Sequence, residues 1–555
     1  MNRLFFGDNL EVLRDLPPES VDLIYLDPPF NSDENYSVIF NRHDVHADVS
    51  AQIQAFNDTW VWDQHTDLAY SNYVAGGVPE PVADALAAFR IILGENNAMA
   101  YLVNMAPRLV ELHRVLKSTG SFYLHCDPTM SHYIKILLDA IFDARFFKSE
   151  IIWKRTSAHN SAKRWGPVHD VILFYTKSDR YTWNRVLQPN SPEYLDSWYK
   201  NAEPDGRRYQ VADLTAPGPR TGESGAVWRG IDVTAKNRHW AIPGFVGEIV
   251  AGMGTIEALE TLDTADRLAW PKKPGGVPRV KRYLDEAAGV AAQDVITDIP
   301  PLVKGAEKLG YPTQKPLALL ERIISVSSNP GDVVLDPFAG CGTSIDAAQR
   351  LGRQWIGIDI TYIAIDLITK RLVHTYGASV MDFVEVSGLP RDTGGAEALF
   401  ERDPFEFERW AVSLIDARPN DKQVGDKGID GIGRFVLPSS KSGFGRVVAS
   451  VKGGKSVNPA MVRDLIGTVN SHQYELGVLI TLRTPTAGMI DAANKSGSWT
   501  HPANNQVYPR VQIITVSDLL AGRKPEIPPI VLPYVKAKRQ HESAKQALSV
   551  QGELV

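Results

Sequence analysis

The spacing of apolar and polar positions divides the chain into segments of different kinds. Leu4-Phe5-Phe6 reads as a first strand closing on the turn Gly7-Asp8-Asn9, and Leu10, Val12, Leu13 and Leu16 follow at helical spacing. Val21-Asp-Leu-Ile-Tyr-Leu26 predicts a second strand, ending in Asp27-Pro28-Pro29-Phe30. The next fifty residues, to about Glu80, form a long polar loop that carries Tyr36, Phe40, Trp60 and Trp62. A loop of that length in a compact domain is usually functional or mobile; it reads either as a cover for an active site or as a surface loop pinned by its tryptophans. From 83 to 116 apolar residues recur three and four apart, which predicts a helix. Residues 120–127 predict a strand, 131–142 another helix, and 151–155 and 170–177 two further strands. Beyond residue 183 the pattern breaks down until about residue 303. It resumes at Val333-Val334-Leu335, short enough for a buried parallel strand, then a helix from Ile345 to Leu351, and a strand Trp355-Ile-Gly-Ile-Asp359. Near the end come a helix opening at Pro404, a strand from Arg446 to Lys452, a helix from Met461 to Val469 and a strand from Leu476 to Thr481.

The interval 333–359 suggests chemistry. A strand, a glycine turn, a helix and an acid about 20 residues on is the general outline of a site for an adenosine-containing cofactor. Here the strand ends in Asp336 and the turn is Phe338-Ala-Gly340-Cys-Gly342-Thr343-Ser344. Gly340 and Gly342 allow a tight turn and close approach of backbone to ligand, and Asp359 is placed to accept hydrogen bonds from ribose hydroxyls. A pyrophosphate cradle normally reads Gly-x-Gly-x-x-Gly, and an acid at 336 would repel a pyrophosphate. The same acid suits a cation. S-adenosylmethionine, with its sulfonium and ammonium, has the right sign, although a nucleotide-binding α/β domain of another kind shares the outline. Asp27-Pro28-Pro29 alone is also a good loop start.

Taken together, Asp27-Pro28-Pro29-Phe30 first and Phe338-x-Gly340-x-Gly342 later, with Tyr311-Pro-Thr313-Gln-Lys315-Pro between them, resemble the amino-methyltransferases of DNA in their circularly permuted, beta-class order. The resemblance implies an α/β fold: a permuted Rossmann-like domain that binds S-adenosylmethionine, with an inserted recognition region. It implies that Asp27 and the Pro28 carbonyl accept the two hydrogens of an exocyclic amine, that Pro29 completes the turn, and that Phe30 stacks on a base turned out of double-stranded DNA. Asp8, Asn9, Thr313, Lys315, Asp336, Phe338, Gly340, Gly342, Thr343, Ser344 and Asp359 fall to the cofactor, with Asp8 accepting from the adenine amino group. Aspartate in the first position of the Asp27 motif points to adenine N6 as the methyl acceptor, with cytosine N4 the alternative. His125 and His169 are assigned no role, since single histidines at strand ends are usually structural.

Composition and charge refine this reading. At 555 residues the chain is too long for one core, and about two to four domains are expected. Its formal net charge of −6 means that any DNA-binding face is local. Such a face is expected in 270–282, where Trp270-Pro-Lys-Lys-Pro-Gly-Gly-Val-Pro-Arg-Val-Lys-Arg282 lies between the two methyltransferase motifs; Lys154, Arg155, Lys163 and Arg164 are weaker candidates. The two cysteines, Cys126 and Cys341, have no metal-ligand spacing. The start of the sequence has no signal peptide and no apolar run spans a bilayer, so a cytoplasmic location without membrane partners is expected.

The C-terminal part carries a second resemblance. A helix with Glu408, then Asp430, then Lys452 ending a strand is similar to the Mrr-like branch of the restriction-endonuclease fold. That resemblance implies Mg²⁺ held by acids, Asp430 foremost, with Lys452 beside an attacking water. Ser450 departs from it, standing where the pattern has Glu or Gln; a serine hydroxyl is a weaker metal ligand than a carboxylate. The expected organisation is therefore 1–182 and 304–395 as two parts of a methyltransferase, 183–303 as the recognition region, 396–534 as the nuclease-fold domain and 535–555 as a basic tail. The setting is restriction–modification or phage defence, with a homodimer or partner subunits of such a system both compatible. The C-terminal domain is then either an endonuclease, making the chain bifunctional, or a degenerate fold kept to hold DNA.

Overall fold

The computed structural model describes residues 1–29, 60–156, 165–287, 289–302, 314–420, 428–437 and 443–530. Phe30, Tyr36, Phe40, Lys163, Arg164, Thr313 and the basic tail lie outside them. Contacts divide the chain into one unit made of 1–184 and 294–555 and a second made of 185–293.

The first unit is built on a nine-stranded sheet in the order Val295–Ile296, Phe147–Lys154, His169–Thr176, Leu116–Cys126, Val21–Leu26, Val333–Asp336, Gln354–Asp359, Asn2–Phe6, Val384–Ser387. His169–Thr176 is antiparallel to both neighbours; the other pairings are parallel. The inner strands are apolar on both sides, as parallel strands covered by helices must be. From Leu23 to Leu26 the alternation is legible residue by residue, after a register shift between Val21 and Leu23. Leu23 and Tyr25 join one core cluster with Ile323, Ile345 and Ile365 from the helices Leu317–Ser327, Thr343–Arg350 and Tyr362–Tyr376. Val21, Ile24 and Leu26 join the other with Leu86, Leu102 and Leu137 from the helices Glu80–Leu93, Asn97–Val115 and Ser131–Phe142. The result is a three-layer α/β/α arrangement.

The helix expected over 83–116 is two helices. Gly94, with φ +71°, ends the first and Asn96 caps the second, accepting from Met99 N–H at 2.9 Å. Apolar spacing continues across the break, so periodicity alone does not reveal it.

The segment 396–534, expected as a domain of its own, groups with the methyltransferase portion. It has its own five-stranded sheet, ordered Arg418–Pro419, Gly431–Val436, Phe444–Lys452, Leu476–Thr481, Val511–Thr515. But Phe407, Trp410 and Ala411 of the helix Pro404–Ser413 share a core with Tyr362, Ile365 and Leu372. No helix among the described residues is long and apolar enough to cross a membrane.

The second unit explains the missing periodicity after residue 183. Its four-stranded sheet uses strands as short as Leu268–Ala269 and Asn201–Ala202, too short for alternation to register. Its core gathers Trp228, Trp240, Leu259 and Leu262, the last two from the helix Thr255–Thr264. Two of the five cations in the basic stretch 270–282 pair with acids within this unit. Arg279 pairs with Asp213 at 2.7 Å, and buried Lys281 pairs with Glu203 at 2.8 Å and Asp266 at 3.2 Å. Lys272, Lys273 and Arg279 are exposed.

Gly342 begins the helix Thr343–Arg350 at φ +74°, and a Cβ there would stand 2.7 Å from Ile368 Cγ1. Gly342→Ala should therefore destabilise the protein by about 2–4 kcal/mol, through left-handed backbone plus overpacking. Urea denaturation measures this; an unshifted midpoint would show that Ile368 gives way freely.

Candidate functional site

Four neighbouring strands of the large sheet end in acids. At the carboxyl edge of Val21–Leu26, Val333–Asp336, Gln354–Asp359 and Asn2–Phe6 stand Asp27, Asp336, Asp359 and Asp8. In open α/β sheets ligands bind outside this edge. Sequence positions more than 300 apart thereby become neighbours.

Asp27 is held by a residue from the other motif. Lys315 Nζ donates to Asp27 Oδ2, and the lysine is only 8% exposed. Lys315, expected at the cofactor, is thus directed at the Asp-Pro-Pro motif. Asp27 Oδ1 is buried and accepts no hydrogen bond among the described residues. A buried acceptor without a donor costs roughly 1–3 kcal/mol, a cost that a ligand N–H would relieve.

The glycine turn is tied to the strand ends by the acids themselves. Asp336 accepts from Phe338 N–H at 3.0 Å and from the Ser344 hydroxyl. Asp359 accepts from Gly340 N–H at 2.8 Å through one oxygen, and from Thr361 N–H at 2.8 Å and Thr361 Oγ1 at 2.7 Å through the other. Burial pushes the Asp336 carboxyl up to about 7, with the charges of Asp27 and Asp359 adding to the rise. Burial likewise pushes Asp359 up to about 6, with Glu406 adding to it. Such a cluster is short of positive charge; a cation fits it and a pyrophosphate does not. Cys341 and Thr343 are buried within the turn.

Asp8 caps the helix Asn9–Asp15, accepting from Leu10 N–H at 2.8 Å. It is also gripped by Arg108, whose Nη2 donates to both its oxygens at 2.9 and 3.0 Å. Arg108 Nε donates to Asn9 Oδ1 at 2.6 Å, and Asn9 Nδ2 donates to the Pro337 carbonyl at 2.8 Å. Asn9 thereby links the first turn of the chain to the turn after Asp336. Sequence reasoning missed Arg108. It lies in the middle of a helix, and only its charge in an otherwise buried helical face could have singled it out.

A second omission lies behind Asp27. Tyr25 Oη is 2.9 Å from His125 Nδ1, and His125 Nε2 is 3.2 Å from Asp170 Oδ2. All three are buried. Arg155 Nε lies 3.3 Å from the other Asp170 oxygen. Burial alone would raise the Asp170 carboxyl, but the His125 hydrogen bond and the charges of His125, Lys315 and Arg155 outweigh it and hold it below the usual range. His125 is thus part of a buried polar chain, and Arg155, read as a DNA-contact candidate, points at Asp170.

In the C-terminal part, Asp430, Ser450 and Lys452 do come together. Asp430 Oδ2 accepts from Ser450 Oγ at 3.2 Å and Val451 N–H at 2.5 Å, with Lys452 Nζ at 3.8 Å. Glu408 is half-buried on the helix Pro404–Ser413. Among the described residues no group of three or more His, Cys, Asp or Glu side chains could hold a metal ion, so the expected Mg²⁺ finds no support. The buried glutamate of that helix is Glu406, not Glu408.

Comparison with known proteins places these features. Residues 406–521 match the family described as NACHT-associated inactive restriction endonuclease 1. A type II methyltransferase of Enterobacter cloacae, M.EcaI, is 33% identical over 274 residues, 49% of this chain and 57% of that protein. The Mod subunit of the type III restriction–modification enzyme StyLTI of Salmonella typhimurium is 27% identical over 64% of this chain and 50% of its own length. The DNA adenine methyltransferase YhdJ of Escherichia coli K12 is 26% identical over 66% of this chain and 82% of that protein. The chain thus spans only half to three-fifths of the first two of these relatives. Residues 21–370, which run from the Asp27 strand through the glycine turn to the helix after Asp359, match the N6/N4 DNA methylase family, and the chain belongs to that family.

Proposed function

We propose that the protein transfers a methyl group from S-adenosylmethionine to the exocyclic amine of a base turned out of double-stranded DNA, with adenine N6 as the acceptor. The observation that carries this is Asp27 Oδ1, a buried acceptor without a donor among the described residues, at the end of the strand Val21–Leu26. An exocyclic amine is a poor nucleophile, because its lone pair is delocalised into the ring. Asp27 Oδ1 and the Pro28 carbonyl would each accept one of its hydrogens and draw density back onto nitrogen. Lys315 pins the other Asp27 oxygen and so fixes the direction of Oδ1. Phe30 would stack on the base. S-adenosylmethionine supplies the methyl group on a sulfonium; Asp336, Asp359 and the turn from Phe338 to Ser344 would hold it, and the acidic character of that cluster supports a cationic ligand. Asp8, whose carboxylate Arg108 already grips, would reach the adenine amino group only through its remaining lone pairs.

Adenine rests on Asp27 in the first motif position and is supported by the relative named as a DNA adenine methyltransferase. A restriction–modification setting is supported by the type III Mod relative. The unit 185–293 is the recognition region of this reading, with Lys272 and Lys273 as phosphate contacts.

For the C-terminal part the reading is a nuclease fold of the Mrr-like kind without nuclease chemistry. Ser450 replaces an acidic or amide ligand, and Asp430 Oδ2 is taken by Ser450 and the Val451 N–H. The family match to an inactive restriction endonuclease supports the same view.

Three outcomes test this. Asp27→Ala should lower the methylation rate by roughly two to three orders of magnitude while leaving cofactor affinity intact, and nucleoside digests of DNA methylated by the wild type should contain N6-methyladenine. N4-methylcytosine in its place would overturn the adenine assignment. Affinity for S-adenosylmethionine should fall by on the order of tenfold as pH drops from about 8 to about 5.5, because a cation prefers the ionised forms of two carboxyls that take up protons near 7 and 6. Calorimetry across that range would contradict the acidic-cradle reading if affinity stayed level or rose toward low pH. Unmethylated DNA incubated with the protein and Mg²⁺ should stay uncut; cleavage that disappears in Asp430→Ala would restore the endonuclease.

A further inference from the structure

The helix Pro404–Ser413 belongs to the nuclease-like part, yet it points a carboxylate at the methyltransferase. Glu406 is 8% exposed. Its Oε2 accepts from Tyr362 N–H at 2.9 Å, and its Oε1 accepts from Arg409 Nη1 at 2.6 Å. Tyr362 is the first residue of the helix that follows Asp359, and Thr361 is that helix's cap. Asp359 itself accepts from Thr361 N–H, at 2.8 Å. Consecutive N–H groups, of Thr361 and Tyr362, are therefore held by two carboxylates, one from each part of the unit.

The surroundings fix this contact. Asp403 caps the helix of Glu406, accepting from Phe405 N–H at 3.0 Å and Glu406 N–H at 3.1 Å. Phe407 and Trp410 are buried in the core that contains Tyr362. The Tyr362 ring meets Phe6 edge-on with centroids 6.2 Å apart, and Arg402 lies over the Phe6 ring at 5.7 Å. Farther along, Lys370 lies 3.6 Å from Asp416. An N–H at the start of a helix has no partner within its own helix; at Tyr362 the partner comes from forty-four residues away.

We propose that Glu406 is a positioning residue for the cofactor: by holding Tyr362 N–H it sets the place of Asp359, so that the nuclease-like part completes the S-adenosylmethionine site. This rests on the reading of Asp359 as part of that site. The nuclease-like fold then has a function that needs neither a metal nor cleavage. It braces the loop on which the cofactor's acid is mounted. The coupling is reciprocal: cofactor binding that orders Asp359 also tightens the hold of the helix Pro404–Ser413.

Glu406→Ala should weaken S-adenosylmethionine binding about tenfold, the size expected for losing a hydrogen bond to a charged acceptor, while DNA affinity stays the same. Glu406→Gln keeps an acceptor oxygen and should stay within about threefold of wild type. In the wild-type protein, hydrogen exchange at the Tyr362 amide and along 404–413 should slow when S-adenosylmethionine is added, a readout that does not depend on any variant folding. Wild-type protein that binds S-adenosylmethionine with no change in exchange over 362 and 404–413, or a folded Glu406→Ala with wild-type affinity, overturns this proposal alone. Wild-type protein that binds no S-adenosylmethionine removes the cofactor reading and this proposal with it.

Discussion

Crowding of negative charge at one sheet edge is the constraint to which the rest of the structure responds. Asp8, Asp27, Asp336 and Asp359 end four adjacent strands, and like charges in a poorly solvated place raise one another's free energy. Each carboxylate is therefore held by something different: Arg108 for Asp8, Lys315 for Asp27, the Ser344 hydroxyl and Phe338 N–H for Asp336, Gly340 and Thr361 for Asp359. Two answers are cations and two are neutral donors. It is at the two neutral ones that the carboxyl values are pushed up to about 7 and about 6. The uneven compensation leaves one part of the edge arranged for a cation, beside another part where a lysine steadies an acceptor that is open among the described residues.

The parts of this arrangement that were legible in the sequence are those set by neighbours along the chain. Apolar runs ending in Asp27, Asp336 and Asp359 are the strands Val21–Leu26, Val333–Asp336 and Gln354–Asp359, because a buried parallel strand needs apolar residues on both faces. Partners from distant segments were not legible. Nothing near Arg108 announces that it will grip Asp8 from 100 positions away, nor does Lys315 declare Asp27 as its partner. Helical phase was a further obstacle. The helix at Pro404 is predictable, but residues two apart on a helix point in different directions, so the pattern did not distinguish Glu406 from Glu408. In 183–303 most strands are only two or three residues long and carry no period. The acids that pair with Arg279 and Lys281 of the basic run there, Asp213, Glu203 and Asp266, stand on other segments, so the pairing does not show in the run itself.

The central pairing of the large sheet has a consequence for how the molecule is made. Val21–Leu26 and Val333–Asp336 lie side by side, and Val333 N–H donates to Asp22 from 311 residues away. At translation rates of about 5–20 residues per second, the first strand waits roughly 15–60 s for its neighbour to be synthesised. Through that time an apolar strand has one open edge, which is a template for unwanted pairing. Contacts of such long range also make folding intrinsically slow. The first half of the methyltransferase must therefore persist on the ribosome as an incomplete sheet, shielded by the helices Glu80–Leu93 and Asn97–Val115 on one face, until the glycine-turn segment emerges to close it. The order in which these strands are made thus makes the nascent chain, rather than the finished protein, the state most in need of protection from aggregation.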